Sequence, residues 1–401
     1  MSARFERTWR AWAVALAAGW LALAATGYRA RDADSRLYAE ISARMKDAPA
    51  ARWIAPEFPP GWYMSGPFRE HPVGLFVPAA ALAALGYPAE QAAYATNAAY
   101  QVLAIVLLQR LAATLVSGLE SRTLAWLVQL LPIAFTFRIR ANHEAALLLC
   151  LLAALYGTER ARRDARFTPL VLAGLVGLLL VKGLLAVFGP ALCALWLLAR
   201  RRASSQSDGS DRTAWLGVAA GVLAMAAAAA AYELAYRHAT GEPFWSFYAA
   251  RQLGVAQAAG EGSGPLAKLG NVAWYAARVL WFAFPWSVAA SLGLWRWSTR
   301  AGTTAGADDS ADTRAAVLFS TAAALMYIGA FSLSDRRADR YIFPAYYAVG
   351  AAGAVVALRS WPWLRALAMR LDRAWLPAAA WSALFLAHLV AGRLGLPTIK
   401  L

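Results

Sequence analysis

The chain has 401 residues, of which 60% are hydrophobic and 15% are charged, and its net charge is +16. Soluble domains carry about 25% charged residues, so this composition excludes an ordinary soluble protein. The positive charge is concentrated in short arginine runs between apolar segments, as in 160–166, 200–202 and 365–373. Such runs are typical of cytoplasmic loops in membrane proteins, and we do not expect nucleic-acid binding.

Apolar segments of about the length that crosses a bilayer recur along the whole sequence. We predict an all-α polytopic integral membrane protein with about 11 transmembrane helices. Residues 1–401 are expected to form one transmembrane domain, without a C-terminal soluble domain. The predicted spans are 9–27, 91–116, 122–137, 144–157, two crossings within 168–199, 214–236, 273–295, 315–332, 341–358 and 375–395.

The first outer loop, within 28–90, is the longest polar part of the chain. Its prolines and aromatic residues favour short helices that lie on the membrane surface. Segment 72–86 is apolar but short. If it does not cross, every arginine run falls on the cytoplasmic side, so we predict that it stays at the surface. Five polar segments then share the outer face: 28–71, 138–144, the Lys182 turn, 237–272 and 332–341.

Two aspartates follow the first span directly. Asp32 and Asp34 are expected near the membrane surface, where partial desolvation raises the basicity of a carboxylate. Such a group can accept a proton from a hydroxyl nucleophile. The alternative is a solvated loop aspartate paired with Arg29, Arg31 or Arg36, and the residues alone leave both interpretations open.

Glu144 and Lys182 stand at junctions between apolar segments. Glu144 opens an apolar helix after the polar run FRIRANHE, and a carboxylate there also suits the helix dipole. Lys182 interrupts an apolar run, so it either extends to the interface or binds an anion such as a lipid phosphate. Helix capping and interfacial exposure therefore remain alternatives to a functional role.

Three arginines lie in a short outer loop, against the positive-inside trend. Arg336, Arg337 and Arg340 suit phosphate, which arginine binds through paired hydrogen bonds. The alternative is pairing with Asp335 and Asp339.

Metal and nucleotide motifs are sparse. With four histidines in the chain, a zinc site of several histidines is not expected. A divalent cation shared by His71, Asp34 and Glu144 is left open. The chain contains neither a GxxxxGK[ST] loop nor GxGxxG or HExxH, so nucleotide-driven transport has no support.

Five motifs occur in a recognisable order: DSRLYAEI (34–41), REHPVGL (69–75), NHEAALLLCLLAALYG (142–157), LLVKGLLAVFGP (179–190) and FSLSDRRADRYIFP (331–344). Together they resemble motifs of the membrane-embedded glycosyltransferases of the GT-C fold. Within that fold they resemble in particular the bacterial lipid A aminoarabinose transferases and the related protein O-mannosyltransferases.

The resemblance implies inverting transfer of a sugar from a polyprenyl-phosphate-linked donor at the periplasmic face of the inner membrane. The acceptor would be a lipid, a glycan or a protein. Asp34 falls at the family's catalytic aspartate, Glu144 would sit beside the acceptor or help Asp34, and Lys182 with Arg336, Arg337 and Arg340 would hold the donor phosphate. Further substrate-pocket candidates are Asp32, Tyr38, Arg69, Glu70, His71, His143 and Tyr341. No cofactor is implied, and a divalent cation stays open.

The sequence also departs from the family pattern. Ser35 stands where the family often has glutamate, His71 replaces the lysine of the aminoarabinose transferases, and Glu144 replaces a common aspartate. These departures favour a divergent substrate. Two other functions compete with transfer: a transporter or flippase for a lipid-linked sugar, and a non-catalytic membrane scaffold.

Overall fold

The computed structural model describes residues 3–203, 211–257, 264–299 and 311–395, so 204–210 and 258–263 of the predicted loops lie outside the described residues. Within these ranges the chain is helical, with one isolated β-bridge between Glu57 and Pro67. In chain order the α-helices are α1 (Ala3–Thr26), α2 (Ala33–Met45), α3 (Phe76–Ala84), α4 (Ala89–Ala112), α5 (Gly118–Leu127), α6 (Pro132–Phe137), α7 (His143–Ala161), α8 (Thr168–Lys182), α9 (Phe188–Ala203), α10 (Asp211–Thr240), α11 (Trp245–Gln257), α12 (Pro265–Phe282), α13 (Trp286–Thr299), α14 (Ala311–Ser332), α15 (Phe343–Ser360), α16 (Pro362–Arg370) and α17 (Leu376–Arg393).

Six helical runs in the described part of the chain are long and apolar enough to cross a membrane. A seventh is added if α12 and α13, which meet at a bend of 110°, form one span. The prediction of a polytopic α-helical membrane protein is therefore confirmed. The number of about eleven crossings stays a prediction.

Two predicted spans are interrupted. The span predicted at 122–137 is divided by the 3-10 helix Val128–Leu130, and α6 restarts at Pro132. The span predicted at 273–295 is divided near Pro285. Proline lacks a backbone N–H and cannot continue the hydrogen-bond ladder of the helix that precedes it, so each break has a local cause.

The apolar run Ala165–Ala203 folds back on itself. A straight helix of 39 residues would be about 58 Å long. A Cβ built on Gly189 would instead lie 2.6 Å from Leu178 and 2.8 Å from Leu175, which a straight helix would hold about 16 Å and 21 Å away. The turn lies at Lys182 and Gly183, as the sequence predicts.

Gly183 provides the backbone geometry of this turn. Its φ of +58° and ψ of −122° favour glycine, and a Cβ there would lie 2.5 Å from the Tyr248 hydroxyl.

We expect Gly183→Ala to destabilise the protein by about 1–3 kcal/mol, measured as a lower unfolding temperature in detergent. Gly329→Ala is the control, because a Cβ on this α14 residue meets no atom within 4 Å. Equal stability of the two variants would contradict this assignment.

The first outer loop contains the predicted short helices. Helix α2 buries Leu37, Tyr38 and Ile41 in a cluster that also includes Phe68 and Phe76. Helix α3 has nine residues, about 13 Å, which is too short to cross a bilayer core of about 30 Å. The loop is thereby packed onto the outer ends of the longer helices.

Ion pairs tie the helices together at one end of the bundle. The end of α7 meets the start of α10 through Arg162 and Asp211, 2.6 Å apart. Arg200, at the end of α9, contacts Glu159 at 3.2 Å and also pairs with Asp312 at the start of α14. This end carries the arginine runs at 160–166 and 200–202. The opposite ends of α7, α8 and α14 converge on the site described next.

Candidate active site

The start of α2 is fixed against the segment before α7. Asp32 caps α2, where its carboxylate accepts a hydrogen bond of 2.9 Å from the Ser35 N–H. The Ser35 hydroxyl donates to Asn142 Oδ1 at 2.8 Å and accepts from the Ala141 N–H at 3.1 Å. Ser35 is fully buried. This link places Asp34, in the first turn of α2, at the same end of the bundle as the first turn of α7.

Asp34 forms an ion pair with Arg340. Arg340 lies in the 3-10 helix Asp339–Ile342, between α14 and α15. The pair is about one-third exposed, since the two side chains are 40% and 28% accessible. The structure thus joins the predicted base to one of the predicted phosphate-binding arginines, although 306 positions separate them in the sequence.

Glu144, Lys182 and Arg340 line one small cavity with His143, Tyr341 and the apolar side chains around them. Glu144 is buried, and its Oε2 has no hydrogen-bond partner. Lys182 forms no direct ion pair within the described ranges, although Glu144 and Arg340 are close enough to interact with it electrostatically. The cavity therefore contains two cations and a carboxylate whose hydrogen-bonding capacity is not exhausted.

Three aromatic or imidazole rings pack beside this cavity. The ring centroids of His71 and His143 are 4.2 Å apart, and that of Tyr38 is 4.7 Å from His143. His71 Nδ1 and His143 Nε2 both lack hydrogen-bond partners. Burial, with the positive charges of Lys182 and Arg340, holds the pKa of His71 well below its usual value of 6.5. His71 is therefore neutral at pH 7 and offers uncharged polar atoms to the site.

This pKa shift predicts how stability depends on pH. Above pH 6.5 His71 is neutral in both the folded and the unfolded chain, whereas below pH 6.5 the unfolded chain binds the additional proton. Stability should then fall with acidification, by up to about 1.4 kcal/mol per pH unit from this group. We expect His71→Gln to flatten the profile of unfolding temperature between pH 7.5 and 5. The exposed His238→Gln control should keep the wild-type slope, and a wild-type slope in His71→Gln would contradict the shift.

Several predicted pocket residues hold the outer loop in place. Arg69 pairs with Glu242 at 2.5 Å and lies 4.2 Å from the Phe247 ring centroid. Glu70 accepts hydrogen bonds from Tyr63 at 2.7 Å and Arg251 at 2.9 Å. These contacts fix the 69–71 segment to α11 and to the loop before it. They orient His71 toward the cavity, whereas Arg69 and Glu70 are engaged elsewhere.

The three loop arginines are in different surroundings. Arg340 lines the cavity, whereas Arg336 and Arg337 are exposed. Arg337 donates to Asn271 Oδ1 at 2.6 Å. The alternative pairing of Asp335 and Asp339 with these arginines is not observed: Asp335 pairs with Lys268, and Asp339 with Arg278 at 3.2 Å.

No group of three or more metal-ligating side chains comes together among residues 3–203, 211–257, 264–299 and 311–395. His71, Asp34 and Glu144 therefore do not form a metal site among the described residues.

Tyr341 stacks on Phe331 with ring centroids 5.2 Å apart and lines the cavity. Sequence reasoning did not identify Phe188 and Tyr327, which also line it, because apolar span residues carry no signal of their own.

The fold and the charged cavity define a helical membrane protein with a polar site at one end of its bundle. Residues 70–232 match a family model described as dolichyl-phosphate-mannose-protein mannosyltransferase. No curated protein matches the chain in sequence. The fold itself is similar to those of solved GT-C glycosyltransferases.

The structure of ArnT from Cupriavidus metallidurans in the apo state is 16% identical, with TM-score 0.69 over 99% of this chain and 78% of that chain. The structure of the same protein bound to undecaprenyl phosphate is 16% identical, with TM-score 0.66 over 95% of this chain and 75% of that chain. The apo structure of the oligosaccharyltransferase of Archaeoglobus fulgidus is 14% identical, with TM-score 0.54 over 95% of this chain and 56% of that chain. The chain therefore has the GT-C fold, and the predicted resemblance to polyprenyl-phosphate-sugar glycosyltransferases is confirmed.

Proposed function

We propose that this protein is an inverting glycosyltransferase. It moves a sugar from a polyprenyl-phosphate-linked donor to a lipid, glycan or protein acceptor at the periplasmic face of the inner membrane. The family match and the GT-C fold support this class. One observation carries the assignment of the site: the Asp34–Arg340 pair lies beside a cavity that also contains Glu144 and Lys182.

In this proposal Asp34 accepts the proton of the acceptor hydroxyl as that oxygen attacks the anomeric carbon. The bond from the sugar to the phosphate breaks on the opposite face, and the phosphate leaves with an additional negative charge. Lys182 and Arg340 stabilise that charge in a partly desolvated site. Arg340 contacts both the base and the phosphate, because a guanidinium offers five N–H donors.

Glu144 is the second carboxylate of the proposed site and positions the acceptor. Its free Oε2 is a hydrogen-bond acceptor for a hydroxyl of the acceptor, and its charge holds Lys182 within the cavity. The neutral imidazoles of His71 and His143 contact the sugar. Arg336 and Arg337 lie outside the cavity and meet the donor only at its entrance.

The positions of the arginine runs support the periplasmic side. The run at 160–166 begins in the last turn of α7 and the run at 200–202 lies in the last turn of α9, whereas Glu144 and Lys182 lie at the opposite ends of α7 and α8. Under the positive-inside rule the runs are cytoplasmic, which places the cavity on the other face.

The discriminating experiment uses protein reconstituted in liposomes with a panel of undecaprenyl-phosphate sugars and a membrane extract as the acceptor source. Release of undecaprenyl phosphate, coupled to loss of the donor, is expected for a transferase. Movement of intact donor between leaflets without its consumption would instead support a flippase. Donor binding with neither outcome would support a scaffold and overturn the proposal.

A further inference from the structure

A second cation is buried in the bundle, beside a cavity that shares Phe343 with the cavity of Lys182 and Arg340. Arg138 follows α6 and is only 3% exposed. Its carbonyl accepts a hydrogen bond of 2.7 Å from Gln101 Nε2. Gln101 lies twelve residues into α4, about 18 Å along the helix from its first residue. Arg138 therefore lies beside the middle of α4, inside the bundle.

The charge of Arg138 has no protein counter-ion. Nη2 donates to the carbonyl of Gln129 at 2.6 Å, and the guanidinium lies 5.6 Å from the Phe135 ring centroid. Nε has no hydrogen-bond partner, and no ion pair involves Arg138 among the described residues. A buried charge without a partner is strongly unfavourable, and an ionisable residue buried among the helices of a membrane protein is a candidate ligand or ion site.

Arg138 lines a cavity between α4, α6, α7 and α15. No acidic residue is among the described residues that line it, and Gln129 Oε1, a second polar atom of the lining, also lacks a partner. The free volume is about 30 Å³, which is room for about two water molecules. A carboxylate group fits this space.

A larger apolar cavity lies directly beside this one, and it also adjoins the Lys182 cavity at Tyr327 and Pro344. The Arg138 cavity and the apolar cavity share Leu108, Leu148, Leu152 and Tyr347, and the apolar cavity has a free volume of about 80 Å³ with an almost wholly hydrocarbon lining. A ligand that reaches Arg138 through these surroundings must be apolar apart from its charged group.

We propose that Arg138 binds the carboxylate of a single-chain anionic amphiphile, at a site distinct from the one proposed for the donor phosphate. The guanidinium Nε and the remaining Nη hydrogens donate to the carboxylate oxygens, and the hydrocarbon chain lies in the adjoining apolar cavity. A water beside the carboxylate donates to Gln129 Oε1.

The test measures equilibrium binding of radiolabelled oleate to purified protein in an uncharged detergent. Oleyl alcohol tests the hydrocarbon chain without the charge, and acetate tests the charge without the chain. We expect saturable oleate binding that oleyl alcohol and acetate do not displace, and at least a tenfold weaker affinity in Arg138→Gln. Arg365→Gln, which removes an exposed arginine on α16, should bind oleate as the wild type does.

Localisation uses the wild type, so it does not depend on a variant that folds. A fatty acid with a photoreactive diazirine next to its carboxylate should crosslink to peptides of α4, α6 or α15 that line the cavity. Displacement of oleate by acetate would assign the site to free anions and overturn the amphiphile. Crosslinks confined to the Lys182 cavity, or wild-type affinity in Arg138→Gln, would overturn the site itself. Neither readout requires sugar transfer.

Discussion

Replacement of Asp34 by asparagine should lower kcat for sugar transfer by about 10²–10⁴-fold, the usual contribution of a general base. Asparagine preserves the size of the side chain but cannot accept the proton. The affinity for the donor should change much less, because the phosphate is held mainly by Lys182 and Arg340. The measurement is release of undecaprenyl phosphate in the presence of acceptor, together with donor binding by the same protein.

Asp47→Asn is the matched control, since Asp47 is an exposed carboxylate just beyond the other end of α2. It should retain wild-type turnover. If Asp34→Asn, correctly folded, also turned over at the wild-type rate, another group would have to act as the base.

Replacement of Lys182 by methionine should weaken donor binding by about 10–100-fold, because a hydrogen bond to a charged group contributes about 1.5–3 kcal/mol. Lys182 has no ion pair of its own within the described ranges, so the loss cannot be attributed to a broken salt bridge. Methionine fills a similar volume, but it leaves the buried Glu144 without the nearby positive charge of Lys182, so some loss of stability is expected as well. The dissociation constant for undecaprenyl phosphate, with the unfolding temperature beside it, separates binding from folding.

Arg336→Met is the comparison, because Arg336 is exposed and outside the cavity. Its affinity should stay within a few-fold of wild type. If Arg336→Met lost more affinity than Lys182→Met, the phosphate would have to bind at the loop surface, and the proposed cavity would be wrong.

Much of the site could be predicted because its charges interrupt apolar sequence. Lys182 and Gly183 split a long apolar run, and the hairpin forms there. The charged junctions at Asp34, Glu144 and Arg340 were each expected on one face, and the structure brings them together. Membrane burial makes such residues conspicuous, since a charge in an apolar segment is costly to retain.

The pairings themselves could not be predicted. Which of three arginines would meet Asp34 depends on how the loop between α14 and α15 turns, and Arg337 contacts Asn271 instead. The bridge from Ser35 to Asn142 joins the first turn of α2 to the start of α7, far apart in sequence. Such contacts depend on tertiary packing, which local composition does not encode.

The unpaired state of Arg138 was likewise not apparent from the sequence. Within FRIRANHE, Arg138 resembles Arg140, which lies 3.8 Å from Asp32, and nothing local distinguishes the two.

The helix breaks at Pro132 and Pro285 could have been expected from proline alone, although the apolar pattern continues through both.

The most direct measurement follows the sugar itself. Purified wild-type protein would be incubated with undecaprenyl-phosphate donors labelled with ¹³C in the sugar and with a membrane extract. The account predicts that the label from one donor appears on an acceptor with inverted anomeric configuration, with one undecaprenyl phosphate released per sugar transferred. A donor that binds at the cavity yet remains intact, with no labelled acceptor formed from any member of the panel, would contradict it.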